Sequence, residues 1–227
     1  MEGGSGMRRR SFLVAAIVAA LVLIIVAQSA VASPVVPYNR HPRGHSYQSW
    51  MRIYGRWLLG DESNPLIAGT TGDCGRMKQG VFFLVPPIDV GVEFDCTIPR
   101  GTPILLSHAG QFAFASAGET DAELQAMVEA GFVTISNSLR LDGRELRLKP
   151  IDTKPYTIIS EQGSFYDTVA GVGTGPVRTA IRANLVFIRP LSRGDHVIEA
   201  EVHFDGGGGD FSATYHVHVG GGDDDGD

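Results

Sequence analysis

The chain of 227 residues is long enough for one mid-sized domain or two small ones, and its 43% hydrophobic content is in the globular range. Its formal net charge of −6 argues against a nucleic-acid partner, because phosphate contacts need clustered Lys and Arg. Part of that acidity lies in a Gly/Asp tail, residues 221–227, which we expect to be disordered.

The N-terminal segment, residues 1–32, has the pattern of a secretory signal peptide. Three arginines at 8–10 precede an apolar run at 12–27, and a small-x-small tripeptide follows at 30–32. We expect export and cleavage after Ala32, by the general secretory or the twin-arginine route. A retained membrane anchor is the alternative, although the run is short for a span of about 20 residues. The mass of the mature N-terminus distinguishes cleavage from retention.

Export gives a role to Cys74 and Cys96, the two cysteines of the chain. An oxidising compartment favours a disulfide between them. In the chain-entropy model, closing a loop of this length stabilises the fold by roughly 3 kcal/mol. Two separate buried thiols are the alternative.

Residues 33–45 are proline-rich and irregular, and we expect an extended linker there. The next segment spaces Tyr47, Trp50, Tyr54 and Trp57 three and four residues apart, which places them on one face of a helix. The serine before this segment can cap the helix. We expect the aromatic face to pack onto a sheet; an exposed aromatic platform for a ligand is the alternative.

Most of the remaining chain alternates short apolar runs with turn residues, which is typical of β-strands. The sequence of Asp142 and Gly143 between two such runs predicts a hairpin with a type I′ turn. The other predicted strands lie at 81–85, 92–98, 103–108, 112–116, 132–137, 156–160 and 182–190.

A second helix interrupts these strands. Thr120 and Glu123 have the spacing of a capping box, and Gly131 is the predicted end of the helix. Its predicted apolar side consists of Leu124, Met127 and Val128. The whole pattern predicts a mainly β fold over residues 46–220: an antiparallel β-sandwich, jelly-roll or immunoglobulin-like, with two short helices packed on it.

The C-terminal strands predict a hairpin with one dry face. If Asp205 faces Asp210, then Ile198 and Tyr215 both turn inward. The other face carries several polar side chains, among them Glu199, His203, His216 and His218. Glu199 and His216, which are opposite each other in this register, are weak candidates for a metal site with His218 nearby. His203 lies too far along the strand to join them, so we expect a solvated face with Glu–His pairing.

Ser107 and His108 are adjacent in a predicted strand, so their side chains should point to opposite faces. That arrangement argues against a nucleophile–base pair. The sequence also contains no Gly-x-Ser-x-Gly elbow, no His-Glu-x-x-His and no phosphate-binding Gly-Lys-Ser/Thr loop. We therefore assign no catalytic residue and expect no cofactor.

An Asn-Pro-Leu tripeptide at 64–66 is followed by GDCGRMKQGVFFL, which contains Cys74, and by CTIPRGTPILL, which starts at Cys96. LDGREL, PLSRGDHVIEAEVHF and ATYHVHV come later. In this order, over residues 47–219, the segments resemble a family of secreted bacterial proteins, actinobacterial in type, with no established function. The resemblance supports the sandwich and the disulfide, and it implies no catalytic residue. Members often have a polar residue or Asn after the strand that here reads ILLSHAG, where this chain offers Ser107 or His108.

These features predict an exported, non-catalytic protein of the cell envelope or extracellular space, with a binding or structural role. The alternative is a secreted hydrolase or lyase that acts on an envelope or extracellular polymer. An enzyme needs a cleft with converging polar groups and shifted pKa values, whereas a binding module shows an exposed aromatic patch or a flat sheet face.

Overall fold

The computed structural model describes residues 33–63, 65–68, 72–133, 135–205 and 209–220. The predicted signal peptide, residues 1–32, and the predicted disordered tail, residues 221–227, lie outside these ranges. From Pro34 onward the chain belongs to one unit. Within the described ranges, no helix combines the length and the apolar character that a membrane span requires.

The described strands form two sheets. The first contains, in spatial order, β1 (Gly75–Lys78), β2 (Val81–Leu84), β4 (Ile104–Phe114), β9 (Gly175–Ile188) and β7 (Pro150–Asp152), and β8 (Tyr156–Ser160) also pairs with β9. The second contains β3 (Val92–Ile98), β11 (Gly209–Val219), β10 (Gly194–Phe204), β5 (Ile135–Leu141) and β6 (Arg144–Glu145). The mainly β class is confirmed.

Not every strand pair is antiparallel, so the predicted purely antiparallel arrangement is wrong. β2 pairs with β4 in parallel, and β3 pairs with β11 in parallel, so both sheets are mixed. Side-chain alternation reports which residues are buried but carries no information on strand direction, which is why the sequence did not reveal these pairs.

The helices are more numerous than the two predicted. α1 (Tyr47–Gly55) continues into a π-helical segment (Arg56–Gly60), and α2 (Pro65–Ala68), α3 (Asp121–Phe132) and α4 (Phe165–Thr168) follow. Ser46 caps α1, and Thr120 with Glu123 forms the predicted capping box of α3. α2 and α4 have four residues each, too few to show a helical period. Met127 of α3 is 48% exposed, so its predicted place on the apolar side is wrong.

The first sheet is covered on both faces. In β2, Phe82 and Leu84 belong to a cluster shared with the second sheet, whereas Val81 and Phe83 belong to a cluster shared with α1. A strand that is buried on both faces reads as a continuous apolar run, which is what VFFL shows. The order of layers is therefore second sheet, first sheet, α1.

The aromatic face of α1 packs onto the first sheet, as predicted. Tyr47, Trp50 and Tyr54 of α1, and Trp57 of the π-helical segment that continues it, are each at most 3% exposed. The Trp50 ring lies 5.6 Å from that of Phe187 in β9. The alternative of an exposed aromatic platform is therefore wrong.

The segment 33–45, predicted as an extended linker, lies along β9. The amide of Val36 donates to the carbonyl of Phe187 at 2.8 Å, and that of Arg189 donates to the carbonyl of Pro34 at 2.8 Å. The indole Nε1 of Trp50 donates to the carbonyl of Pro42 at 2.9 Å. These bonds hold the segment against the first sheet and α1.

The predicted disulfide between Cys74 and Cys96 is confirmed, with 5.7 Å between the two Cα atoms. Cys74 directly precedes β1 of the first sheet, and Cys96 lies in β3 of the second. The bond therefore links the two sheets covalently and closes a loop that contains β1 and β2.

Candidate functional site

β4 contains a β-bulge at His108. Ser107 pairs with Leu185 of β9 and Ala109 pairs with Asn184, so His108 is an additional residue without a partner in β9. Bulges change the direction of a side chain and are common beside functional sites. The bulge also explains why the predicted strands 103–108 and 112–116 form one strand, since the ladder continues beyond it.

A close approach of two backbones follows the bulge. A Cβ atom added at Gly110 would lie 2.3 Å from the Cβ of Ala183 and 2.9 Å from the carbonyl oxygen of Arg182. Only glycine leaves β4 this close to β9. The bulge and the glycine together set the path of β4 from residue 107 to residue 112.

A cavity of about 200 Å³ lies along this part of β4. β2 pairs with β4 only through Ile104 and Leu105, so in the described structure the segment 107–112 has β9 as a neighbour but not β2. α1 and the π-helical segment line the cavity, and so do Val202 and Phe204 of β10 and Phe211 of β11. It therefore lies where all three layers of the fold meet.

The lining of the cavity is mostly apolar. None of the described residues that line it is Asp, Glu, Lys or Arg, and the polar side chains among them belong to Tyr54, Ser107, His108 and Gln111. The apolar lining includes Met51, Leu58, Leu59, Leu66, Pro86, Pro87, Phe112, Ile181, Val202, Phe204 and Phe211. Several of these, such as Leu58, Leu66, Phe204 and Phe211, keep partial exposure and lie at its edge.

His108 is the unusual group in this lining. Its side chain is 2% exposed, and neither ring nitrogen has a hydrogen-bond partner among the described residues. Burial lowers the pKa of the imidazole to about 4; the backbone of Glu201 and Ser138 and the charge of Glu201 oppose this shift without reaching hydrogen-bond geometry. The ring is therefore neutral at pH 7, with one N–H donor and one bare nitrogen acceptor.

The other deeply buried polar side chains near His108 have protein partners. The hydroxyl of Tyr54 donates to the carbonyl of Leu84 at 2.5 Å, and burial raises the pKa of this phenol well above its usual range. The amide of Asn184 donates to Oδ1 of Asn137 at 3.0 Å. His108 alone among these groups lacks a partner.

Ser107 and His108 do not form a catalytic pair. Ser107 is opposite Leu185, whose side chain belongs to the cluster with α1, whereas His108 approaches the backbone of the second sheet. With neither imidazole nitrogen hydrogen-bonded, the serine has no activating base. The two side chains lie on different sides of β4, as the sequence indicated.

The C-terminal hairpin forms with Ile198 and Tyr215 fully buried, as predicted, but its register differs from the prediction. Ile198 pairs with Tyr215 rather than Val217, and Asp210 pairs with His203 rather than Asp205. The predicted register would place two like charges opposite each other, whereas the observed one pairs an acid with a histidine. The shift of two residues keeps every side chain on its predicted face.

This register separates the three weak metal candidates. Glu199 pairs with Thr214, and His216 pairs with Val197. Nδ1 of His218 lies 2.8 Å from a carboxylate oxygen of Asp195 instead. Among the residues with described positions, no group of three or more His, Cys, Asp or Glu side chains is placed to hold a metal ion.

The comparisons with known proteins do not assign a function. No protein-family model matches the chain, and no curated protein matches it significantly. Solved structures that match weakly include the cysteine protease inhibitor EhICP2 from Entamoeba histolytica, at 13% identity over 58% of this chain and 87% of that chain, with a TM-score of 0.23. PbICP-C in complex with falcipain-2 matches at 11% over 58% of this chain and 90% of that chain, with a TM-score of 0.24. The M1 domain of titin matches at 11% over 58% and 92%, with a TM-score of 0.23. TM-scores this low establish neither a shared fold nor a shared activity.

Sequence reasoning missed the cavity because its walls are distant along the chain. Leu58, the segment 107–112 and Phe204 come together only through the order of the layers. The one local signal was a histidine two residues after the apolar run at residues 104–106 in a strand, and this pattern also fits a histidine that bonds within the core.

Proposed function

We propose that this is an exported, non-catalytic β-sandwich protein that binds a small, largely apolar molecule in the cavity between α1 and the β10–β11 hairpin. The observation that carries the proposal is the cavity lining, which is mostly apolar and, in the part of the chain that the structure describes, includes no Asp, Glu, Lys or Arg. Small-molecule sites typically combine such a lining with a few polar groups. Since an apolar cavity of about 150 Å³ accommodates benzene, a volume of about 200 Å³ suits a ring-sized ligand.

The disulfide supports the export part of the proposal. Bonds of this kind persist in oxidising compartments and are rare in the cytosol. The signal-peptide pattern at 1–32 and the resemblance to secreted bacterial proteins agree with it. The protein would therefore meet its ligand in the cell envelope or outside the cell. A polymer chain exceeds the size of the cavity, so an envelope polymer could contribute only a ring-sized group to this site.

The contacts favour binding over hydrolysis. A hydrolase needs a proton donor and acceptor that converge on one bond, and glycosidases use two carboxyl groups for this purpose. No acidic side chain of a described residue lines the cavity. The carboxylate of Glu201, whose charge raises the pKa of His108, is exposed and accepts a hydrogen bond from Ser138.

The test is a titration of the folded, disulfide-intact protein with toluene, followed by isothermal calorimetry. We expect saturable binding with one site. Leu58 lies at the edge of the cavity, so Leu58→Trp should fill the space and weaken binding at least tenfold.

Leu191 provides the matched control. It is also half-buried, but it packs against the cluster between the two sheets and does not line the cavity. Leu191→Trp should therefore bind toluene like the wild type. Absence of saturable binding by the folded wild type, or equal weakening by both substitutions, would contradict the proposed site.

A further inference from the structure

We propose that the ligand of this cavity carries a neutral hydroxyl group on an apolar ring, as a phenol does, and that His108 forms a hydrogen bond with that hydroxyl. The inference rests on the proposed binding function and names its chemical class of ligand. It is carried by the position of His108 at the bulge, by its burial and by its two nitrogens without partners.

Buried polar groups in proteins almost always have hydrogen-bond partners, because burying one without a partner is unfavourable. Five described residues have a buried side-chain polar atom without a partner: Arg52, Trp57, His108, Tyr156 and Arg182. His108 alone among them lines the cavity. A polar group bound in the cavity can therefore supply the partner that the imidazole lacks.

The charge of His108 determines which polar group of a ligand can form a hydrogen bond with it. Burial keeps the imidazole neutral at pH 7, so it offers one donor and one acceptor. A hydroxyl can either accept from the N–H or donate to the bare nitrogen, so it matches whichever of the two ring nitrogens it meets. A carboxylate would enter an apolar space whose described lining offers no Lys or Arg to neutralise it, so we expect an organic acid not to bind.

The size of the cavity limits the rest of the ligand. About 200 Å³ is enough for one six-membered ring with its hydroxyl and a short substituent. Phe112, Phe204 and Phe211 lie around this space and offer aromatic contacts to a ring. A phenol satisfies both the apolar walls and the imidazole.

The experiment compares phenol with toluene, which has nearly the same shape but replaces the hydroxyl with a methyl group. The ratio of the toluene Kd to the phenol Kd is measured in the wild type and in His108→Leu at pH 7. We expect this ratio to fall about tenfold or more in the variant, because the hydroxyl then has no partner. His108→Gln, which keeps a donor and an acceptor, should recover part of the preference.

Each outcome has a defined meaning. An unchanged ratio, with toluene still bound, would show that His108 is served by water and does not recognise the ligand, and the proposed binding function would stand. Binding of neither compound by the folded wild type would overturn both the inference and the proposed function. Benzoate that binds more tightly than phenol at pH 7 would overturn the assignment to a neutral hydroxyl.

A measurement on the wild type alone tests the hydrogen bond even if the His108 variants do not fold. The ¹⁵N resonances of the His108 ring should shift when phenol is added at pH 7, whereas toluene should leave them nearly unchanged. Equal shifts with both compounds would overturn the proposed hydrogen bond.

Discussion

Asp142 shows how a single turn residue can tie two strand pairs together. It lies at the first position of the β5–β6 turn, with a φ of 51°, and Gly143 follows with a φ of 72°, as the predicted type I′ turn requires. One oxygen of Asp142 accepts from the amide of Val197 at 2.9 Å, and the other lies 2.8 Å from Nδ1 of His196. The turn is thereby attached to β10.

The contact between Asp142 and His196 makes part of the free energy of unfolding depend on pH. Burial lowers the pKa of His196, but the hydrogen bond and charge of Asp142, together with Ser192 and Asp195, outweigh it, so the pKa is raised above 6.5. Burial raises the pKa of Asp142, but its bonds to His196 and Val197 outweigh this, so it falls below 3.8. Because the pKa of His196 is higher in the folded protein than in the unfolded chain, its contribution to the free energy of unfolding is complete below pH 6.5. That contribution is lost as the pH rises through the folded pKa. Because the pKa of Asp142 is lower in the folded protein, its contribution to the free energy of unfolding is present above pH 3.8. That contribution is lost as the pH falls through the folded pKa.

Asp142→Asn tests this pair without disturbing the turn, because Asn also tolerates a positive φ and keeps an oxygen for Val197. We expect the pKa of His196, measured by NMR titration, to fall in the variant. The free energy of unfolding should decrease most between pH 4 and pH 6, where both partners are charged, and least above the folded pKa of His196. The same loss at every pH would contradict the assignment.

For single residues, the sequence predicted which face of the strand each side chain occupies, but it did not predict every cross-strand partner. The alternation of apolar and polar residues placed Ile198 and Tyr215 on the buried face, and this is correct. It did not determine the register, because a shift of two residues leaves the pattern unchanged. The pairing of His203 with Asp210 depends on charge across the strands, which periodicity does not report.

Among the elements, β4 is the one whose shape defines the candidate site. Its bulge turns His108 away from the regular ladder, and Gly110 then lets it approach β9 closely. Gly110→Ala should destabilise the protein by about 1–3 kcal/mol, because its methyl group would contact the backbone of Ala183 and Arg182. Urea unfolding measures this change.

Gly131→Ala is the matched control for that substitution. Gly131 lies in the last turn of α3, and its added methyl group would meet the movable side chain of Gln111 at 3.0 Å. Alanine is also the better helix former, by about 1 kcal/mol. We therefore expect little loss or a slight gain of stability; a loss equal to that of Gly110→Ala would mean that backbone contact is not the cause.

The success of prediction at this scale depended on the length of each element. α1 and α3 run for nine and twelve residues and have side-chain caps, so both periodicity and capping indicated them. α2 and α4 are single turns of four residues. The bulge in β4 was hidden because a short interruption between two apolar runs usually indicates a turn.

For the whole molecule, the alternation of short apolar runs with turn residues predicted the mainly β class, and the cysteine count predicted the disulfide. The arrangement of the layers came only from the structure. Each half-buried strand has one apolar face, but the sequence does not state which elements cover it. The first sheet has two covered faces, and the cavity forms where β2 ends and α1 and the hairpin pass β4. This arrangement depends on contacts between segments around residues 55, 108 and 204, which no local pattern encodes.

The disulfide is the one covalent tie between the two sheets, and its effect should be measurable on the entire fold. Cys74 and Cys96 are separated by 22 residues, and the loop they close includes β2 and the cavity residues Pro86 and Pro87. Replacing both cysteines with Ser should lower the free energy of unfolding by roughly 3 kcal/mol, chiefly because the unfolded chain regains the freedom of that loop. For a domain of ordinary stability, about 5–15 kcal/mol, this is a large share of the total. The wild type in dithiothreitol should lose a similar amount, whereas the double variant should not respond to the reductant. A wild type whose urea midpoint is unchanged by complete reduction would show that packing between the sheets holds them together without the bond.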